Sequence, residues 1–361
     1  MPILNFNVGP SALFPGVEKN MQEILQSKIL ETSHRSNNFS NMSQEVIDAL
    51  KRFLCIPDSY KVFYTCSATE AMEIALRNGI EKKSTHFTNG AFGEKWQKMA
   101  QSIGLETENF QGNYDQRFSL EEITAALDSE GIFITANETS TSAAFSNTEI
   151  KQIKEKFPQK LLCIDATSCA GAIDLDISQT DLFLFSVQKC FGLPSGLGIL
   201  ICSERFYQKA VEKKNKGLDI GAFNSLPAMW GKMAYKFQTC QTPPIIQIAL
   251  LGKIIRNIEN KIGSLQQCDN FTNQKAQKIY QFFENHKTLK PFIKNKNHRS
   301  KTVIVITSSE DEILKAKQKC QQKGIILANG YGKTKPYTFR LANFLAHSKE
   351  DFENVFNALS F

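Results

Sequence analysis

Short apolar runs separated by amphipathic stretches recur along most of the chain, and their periods predict alternating strands and helices. Strands are expected over Lys61–Thr65, 85–88, 131–136, 160–165, 181–187 and 197–202. Ser67-Ala68-Thr69-Glu70 has the spacing of a capping box and opens a helix after the first of them. A helix over 91–103 follows the second. Ser119-Leu120-Glu121-Glu122 and Ser146-Asn147-Thr148-Glu149 repeat the capping pattern on either side of the 131–136 strand, and the helix after Ser146 ends at Pro158. Thr242-Pro243-Pro244 sets prolines in a first helical turn, where no amide donor is lost. The apolar positions Ile245, Ile248, Ala249, Gly252 and Ile255 carry that helix towards 262. Beyond residue 260 the order becomes helix, Lys-rich loop, strand (302–307), helix (309–323), two strands and a final helix from 348. This alternation predicts an α/β fold with a mostly parallel central sheet. We expect a large domain over 15–255 and a small α+β domain over 256–361 that also takes in residues 1–14, with a long helix joining the two.

Composition changes this picture little. The chain has 361 residues, 42% hydrophobic and 22% charged, which suits two ordinary globular domains. Its net charge of +7 comes from the C-terminal part, since residues 251–361 hold 19 Lys/Arg against 9 Asp/Glu. The densest stretch runs from Lys287 to Lys301. Phe292 is the one aromatic within it, so a solvated loop is expected there rather than a nucleic-acid surface. No apolar run of about 18 residues suggests a membrane span, and the N-terminus lacks a basic leader and a cleavage site. The nine cysteines form no C-x-x-C pair and no regular framework, which fits reduced thiols in the cytoplasm and offers no metal-ligand spacing.

The chemistry begins at Lys189. It closes the run Leu182-Phe183-Leu184-Phe185-Ser186-Val187-Gln188 and enters the turn Cys190-Phe191-Gly192-Leu193-Pro194. A cation at that place is costly to desolvate, and desolvation lowers a lysine pKa. The neutral amine that results can add to an aldehyde. Asp165 ends the preceding apolar strand in the same manner. A lysine for an aldehyde and a carboxylate for a pyridine nitrogen are what pyridoxal 5'-phosphate (PLP) asks of its protein. For these two residues alone, a buried Lys–Asp ion pair explains the pattern as well. Three upstream junctions tip the balance. Ser67-Ala68-Thr69, otherwise a plain helix cap, can offer amides to a phosphate. In Asn89-Gly90-Ala91-Phe92-Gly93 the phenyl ring can lie on a heteroaromatic ring or simply pack in the core. Asn137-Glu138-Thr139-Ser140 can offer a hydroxyl to a phenolate, or be an ordinary polar loop. All five features end expected strands, at the edge where open α/β sheets bind ligands, and their succession favours PLP.

Over nearly its full length the chain resembles the class V aminotransferases of the fold-type I PLP superfamily, and in particular the branch that acts on phosphoserine. The resemblance rests on Asn5-Phe6-Asn7-Val8-Gly9-Pro10-Ser11, Ser33-His34-Arg35-Ser36, Thr65-Cys66-Ser67-Ala68-Thr69-Glu70, Asn89-Gly90-Ala91-Phe92-Gly93 and Asn137-Glu138-Thr139. It continues in Asp165-Ala166-Thr167-Ser168, Gln188-Lys189, Thr242-Pro243-Pro244, Gly330-Tyr331-Gly332-Lys333 and Phe339-Arg340-Leu341-Ala342. It implies that Lys189 holds the cofactor and shuttles a proton, and that Asp165 keeps the pyridine nitrogen protonated. Thr139 would bond the ring oxygen and Phe92 stack on the ring. Ala68, Thr69, Ser168 and Gln188 would hold the phosphate, with Thr242 reaching it from a second subunit of a homodimer. Arg340 would fork the substrate carboxylate, a task suited to guanidinium geometry, while His34 and Arg35 meet the substrate's far end.

The implied reaction passes an amino group between O-phospho-L-serine and 2-oxoglutarate. Two departures bear on the substrate: Glu70 is acidic where the phosphoserine branch usually has a basic residue, and the turn after Lys189 lacks its Asn-x-Gly-Pro. Ser-His-Arg-Ser also occurs in alanine– and serine–glyoxylate or –pyruvate aminotransferases, which stay open as alternatives. A cysteine desulfurase would carry His where Gln188 stands, and a binding protein without turnover would not need Asp165, Lys189 and Arg340 together.

Overall fold

The computed structural model describes residues 3–123 and 128–360. Strand β1 (Leu4–Phe6) leads into helices α1 (Val17–Gln26) and α2 (Asn37–Phe53). Then follow β2 (Lys61–Thr65), α3 (Ala68–Gly79), β3 (Lys83–Thr88), α4 (Ala91–Ser102) and β4 (Glu106–Gln111). Next come β5 (Gly131–Thr135), α5 (Asn147–Lys156), β6 (Leu161–Asp165), β7 (Leu182–Ser186) and β8 (Gly198–Cys202). Helices α6 (Glu204–Asn215), α7 (Leu226–Lys236), α8 (Ile245–Lys261) and α9 (Leu265–Asn285) precede β9 (Lys290–Pro291) and β10 (Val303–Thr307). The chain closes with α10 (Glu310–Gln322), β11 (Ile325–Asn329), β12 (Thr338–Ala342) and α11 (Lys349–Leu359).

Seven strands form the first sheet in the order β2-β8-β7-β6-β5-β3-β4. Every pairing is parallel except those of β8, which runs against both neighbours. β5, β6 and β7 are buried at every position, as befits parallel strands covered on both faces, and so they read as continuous apolar runs. The winding reverses between the neighbours β3 and β5, since β3 leads outward to β4 while β5 leads the other way to β6 and β7, and open α/β sheets bind ligands at the carboxyl ends beside such a point. β4 was not visible in the apolar pattern: Glu-Thr-Glu-Asn-Phe-Gln is an edge strand with no buried position. Edge strands tolerate charge because one side faces water.

The second sheet has the order β1-β11-β12-β10-β9. β1 runs parallel to β11, so the N-terminal segment joins the C-terminal sheet. Phe6 anchors it in a separate apolar cluster with Ile279, Phe283, Ile304, Phe339 and Phe352. The helix expected to run towards 262 is α8, and the helix expected after residue 260 is α9. α8 stops at Lys261, Gly263 turns at φ +115°, and Ser264 with Gln267 forms a capping box that starts α9. The helix expected after Ser119 is represented by a single 3-10 turn, Leu120–Glu122, and its continuation lies outside the described residues.

The stretch 287–301 departs from a solvated loop. Lys290 lies in β9, Phe292 is buried, and Lys301 pairs with Asp269 at 2.8 Å. The Arg299 side chain is 9% exposed, bonds Glu284 and covers the Tyr280 ring at 4.9 Å. Among the described residues no helix is long and apolar enough to cross a membrane.

Candidate active site

At the carboxyl edge of the first sheet lies a cavity of about 220 Å³ whose lining includes Gly9, Lys189, Asp165, Tyr331 and Arg340. A larger surface groove of about 980 Å³ beside α9, α10 and α11 contains none of the candidate site residues. Volume and chemistry therefore point to different places, and the chemistry decides.

Lys189 sits in the turn after β7, buried, with its Nζ donating to Thr139 Oγ1 at 2.8 Å and lying 5.2 Å from the centre of the Phe92 ring. Gly9 makes room for it. A Cβ on Gly9 would come within 2.9 Å of Lys189 Cε, and its φ of +141° favours glycine in any case. Burial pushes the amine down to about 8, and the charge of Asp165 is the first of those that resist. Asp165 ends β6. Its Oδ1 accepts from the Thr167 amide at 2.9 Å and from the Thr167 hydroxyl, so both bonds fall on one oxygen. Burial raises this carboxyl, and the Thr167 bonds oppose that more than the charges of Lys189 and Lys95 do.

Arg340, on β12, enters the same cavity from the second sheet. Nε donates to the Asn329 carbonyl at 2.7 Å and Nη1 to the Thr139 carbonyl at 3.2 Å. Burial depresses the guanidinium to about 10. Tyr331 lies 5.4 Å below it and 5.3 Å from the Phe92 ring, forming an aromatic wall. Thr139 thus touches both cations, its hydroxyl on Lys189 and its carbonyl on Arg340.

The start of α3 forms the opposite end. Ser67 Oγ accepts from the Glu70 amide, as the cap predicts, but the Glu70 carboxylate bonds the Cys66 amide and the Asn224 side chain. It therefore turns away from the cavity. The Ala68 amide donates to Ser186 Oγ at 2.7 Å, and Thr69 Oγ1 accepts from Lys95 Nζ at 2.8 Å. Ser186, Gln188 and Thr167 line the same end.

Four expected residues are not gathered here. Ser168 is buried behind the wall, donating to the Asn137 carbonyl and accepting from its side-chain amide, both at 2.7 Å. Its neighbour Thr167 lines the cavity instead. His34, Arg35 and Thr242 fall outside the lining, and Arg35 and Thr242 are exposed. Arg35 donates to the carbonyls of Thr239 (2.7 Å) and Cys240 (3.3 Å), in the stretch that leads to Thr242. Burial, then the Arg35 charge, lowers the His34 imidazole.

Sequence reasoning assigns no role to Lys95, Glu138, Ser186 or Tyr331, the last of which stands in the motif Gly330-Tyr331-Gly332-Lys333. Lys95 follows Phe92 by one helical turn, the spacing that puts two side chains on one face. Glu138 stood inside a quoted motif whose chemistry was assigned to Thr139. It is buried and accepts from the amides of Phe92, Gly93 (3.0 Å) and Ser140 (3.0 Å), so it caps α4.

These residues fit PLP by the chemistry of the donor set: an amine inclined to neutrality, a carboxylate with one oxygen committed, a flat phenyl face, and hydroxyls beside a helix N-terminus. Among the described residues no group of three His, Cys, Asp or Glu could hold a metal ion. Fold and site together define a PLP enzyme of fold type I. The chain belongs to the class-V aminotransferases, for the model of the family described as Aminotransferase class-V matches residues 3–344. It is 28% identical to a phosphoserine aminotransferase of Rhodococcus opacus, over 97% of this chain and 92% of that protein. The crystal structure of a phosphoserine aminotransferase from Cytophaga hutchinsonii is 33% identical, with a TM-score of 0.94 over 99% of this chain and 98% of that one. An alanine–glyoxylate aminotransferase from Nostoc sp. shares the fold at 20% identity, with a TM-score of 0.85 over 99% of this chain and 94% of that one.

Proposed function

We propose that this aminotransferase moves the amino group reversibly between O-phospho-L-serine and 2-oxoglutarate, giving 3-phosphohydroxypyruvate and L-glutamate. The observation that carries the substrate is the near full-length similarity to phosphoserine aminotransferases, at 33% identity for the Cytophaga hutchinsonii structure. Of the two departures that bear on a phosphorylated substrate, Glu70 loses its weight, since its carboxylate is bonded away from the cavity.

PLP supplies an aldehyde carbon and an electron-withdrawing ring. Every other task falls to side chains. Lys189 would hold the cofactor through its amine and carry a proton between the substrate Cα and the cofactor's C4′. Thr139 orients that amine, and its hydroxyl would also meet the ring oxygen. The Asp165 oxygen left free by Thr167 would keep a proton on the ring nitrogen. Phe92 would cover one ring face, and Thr69, Ser186 and Gln188 would receive the phosphate at the α3 start. Arg340 would exchange its bond to the Thr139 carbonyl for the substrate carboxylate.

His34, Arg35 and Thr242 lie outside their own subunit's cavity, and Arg35 is bonded to the stretch that leads to Thr242, so a second copy would have to bring them to a site. We therefore read the enzyme as a homodimer with shared sites, in which His34 and Arg35 face the substrate phosphate and Thr242 the cofactor phosphate. Ser168, behind the wall, would steady the loop that carries Thr167. We take 15–255 and 256–361 with 1–14 as its large and small domains. Free cysteines, six of them buried, support a cytoplasmic location.

The test is a single-turnover half-reaction. PLP-loaded enzyme is mixed separately with O-phospho-L-serine, glutamate, alanine and serine, and the loss of cofactor absorbance is followed. Fast conversion by phosphoserine and glutamate is expected. Conversion by alanine or serine with phosphoserine inert would move the enzyme to the glyoxylate or pyruvate group.

A further inference from the structure

A cofactor phosphate carries nearly two negative charges, and the α3 start that would receive it has little to oppose them. Its residues Ser67, Ala68, Thr69 and Glu70 include no cation. The Ala68 amide already has a hydroxyl partner in Ser186. A helix dipole amounts to about half a charge. The nearest full positive charge at this end comes from the next helix: Lys95 lines the cavity and donates from Nζ to Thr69 Oγ1 at 2.8 Å.

That placement is enforced from two sides. Glu138 fixes the first turn of α4 by accepting from Phe92 and Gly93, and Ser140 Oγ accepts from the Ala91 amide at 2.9 Å. One residue past Lys95, Trp96 is buried and donates from Nε1 to the Met72 carbonyl of α3 at 3.1 Å. α4 is thereby pinned to α3 next to the turn in question. Lys95 is itself exposed, so it is not part of the packing, and its partner is a hydroxyl that a dianion can join without displacing a carboxylate. The charge of Lys95 is also felt at Asp165, at the far end of the same cavity.

We infer that Lys95 is the cation of the cofactor-phosphate site, delivered from α4 to a turn that has none of its own, with Thr69 as its positioning residue. The inference rests on the PLP reading above. It concerns cofactor retention, not the chemical step.

The full-length enzyme, wild type and Lys95→Met, is dialysed to equilibrium against graded PLP and, in parallel, pyridoxal, which lacks the phosphate. Bound cofactor is read by absorbance at low and high salt. Met keeps the length of the side chain without its charge. Wild type is expected to prefer PLP strongly. Lys95→Met should lose about tenfold in PLP affinity, the scale of one charge-assisted bond, with pyridoxal binding unchanged. Its PLP affinity should fall less steeply with salt than that of wild type. Lys95→Arg should restore most of the loss, and Thr69→Val should reproduce part of it. PLP affinity unchanged in Lys95→Met overturns the inference. So does an equal loss for PLP and pyridoxal, which would mean a distorted cavity. A higher KM for O-phospho-L-serine with PLP affinity intact would assign Lys95 to the substrate and overturn it too. If wild type bound neither compound, the cofactor reading itself would fall, a result distinct from all three.

Discussion

The amine of Lys189 is set for nucleophilic chemistry by burial, and the effect has a size. With a pKa of about 8 instead of 10.5, about 9% of the amine is neutral at pH 7, against about 0.03% at the ordinary value. That is a gain of about 300-fold in the reactive form. Trace labelling of the cofactor-free full chain with acetic anhydride, with the Lys189 peptide quantified by mass spectrometry, reads that fraction directly. Labelling should climb with pH and level off just above pH 8, while exposed lysines keep climbing for more than two further units. Asp165→Asn removes the leading charge that holds the amine up, so the break should move below pH 8. A Lys189 profile that climbs like that of the exposed lysines, or a break that moves upward in Asp165→Asn, would refute the argument. The same shift has a stability sign. The folded state disfavours the charged amine, so its penalty is full below pH 8. Between pH 8 and 10.5 the unfolded chain holds a proton that the folded one has released, and stability rises with pH. Cofactor-free Lys189→Met should therefore melt above wild type at pH 7, and the gap should close towards pH 10.5.

Arg340→Ala should raise KM for both amino acids and 2-oxo acids by about ten- to a hundredfold, the loss of a forked charge-assisted contact; steady-state kinetics on both half-reactions checks this, and an effect on one substrate alone would contradict it. Glu138→Gln should lower stability by about 1–3 kcal/mol in urea titrations, because the α4 amides lose a charged buried acceptor. Lys275 is buried and donates to the carbonyls of Phe344 (2.9 Å) and His347 (2.8 Å). Lys275→Met strands both carbonyls and should cost about 2–4 kcal/mol in the same assay. Mixing inactive Lys189→Ala with inactive Arg35→Ala after subunit exchange should restore about a quarter of wild-type activity if sites are shared across a two-fold dimer; no recovery would place Arg35 within its own subunit's site, and an active Arg35→Ala would place it outside any.

What could be read from the chain was the sheet and what hangs on its ends. β5, β6 and β7 are buried on both faces, so a polar residue at their ends, such as Asp165 or the Lys189 just beyond β7, stands out against an apolar run. β4 and β1 gave no such contrast. One is a polar edge strand, and the other is three residues long and finds its partner, β11, more than three hundred positions away. The apolar repeat of α8 was legible to its end near 262, and Ser264 with Gln267 carries the capping spacing that starts α9.

Charge was the part that sequence could not orient. Glu70 and Glu138 each sit beside a strand-to-helix junction of the first sheet, and composition alone treats them alike. Glu70 is inside its own helix, so its carboxylate folds back onto the preceding amide of Cys66 and never faces the crevice. Glu138 belongs to a different strand end and reaches across to cap α4, so its negative charge is consumed by the Phe92, Gly93 and Ser140 amides. With both acids committed to backbone donors, the cavity keeps the cations Lys189, Arg340 and Lys95 and the single carboxylate Asp165. That balance suits anionic ligands. It depends on which amide each acid satisfies, a matter of where two helices start relative to each other and not of which residues the turns contain.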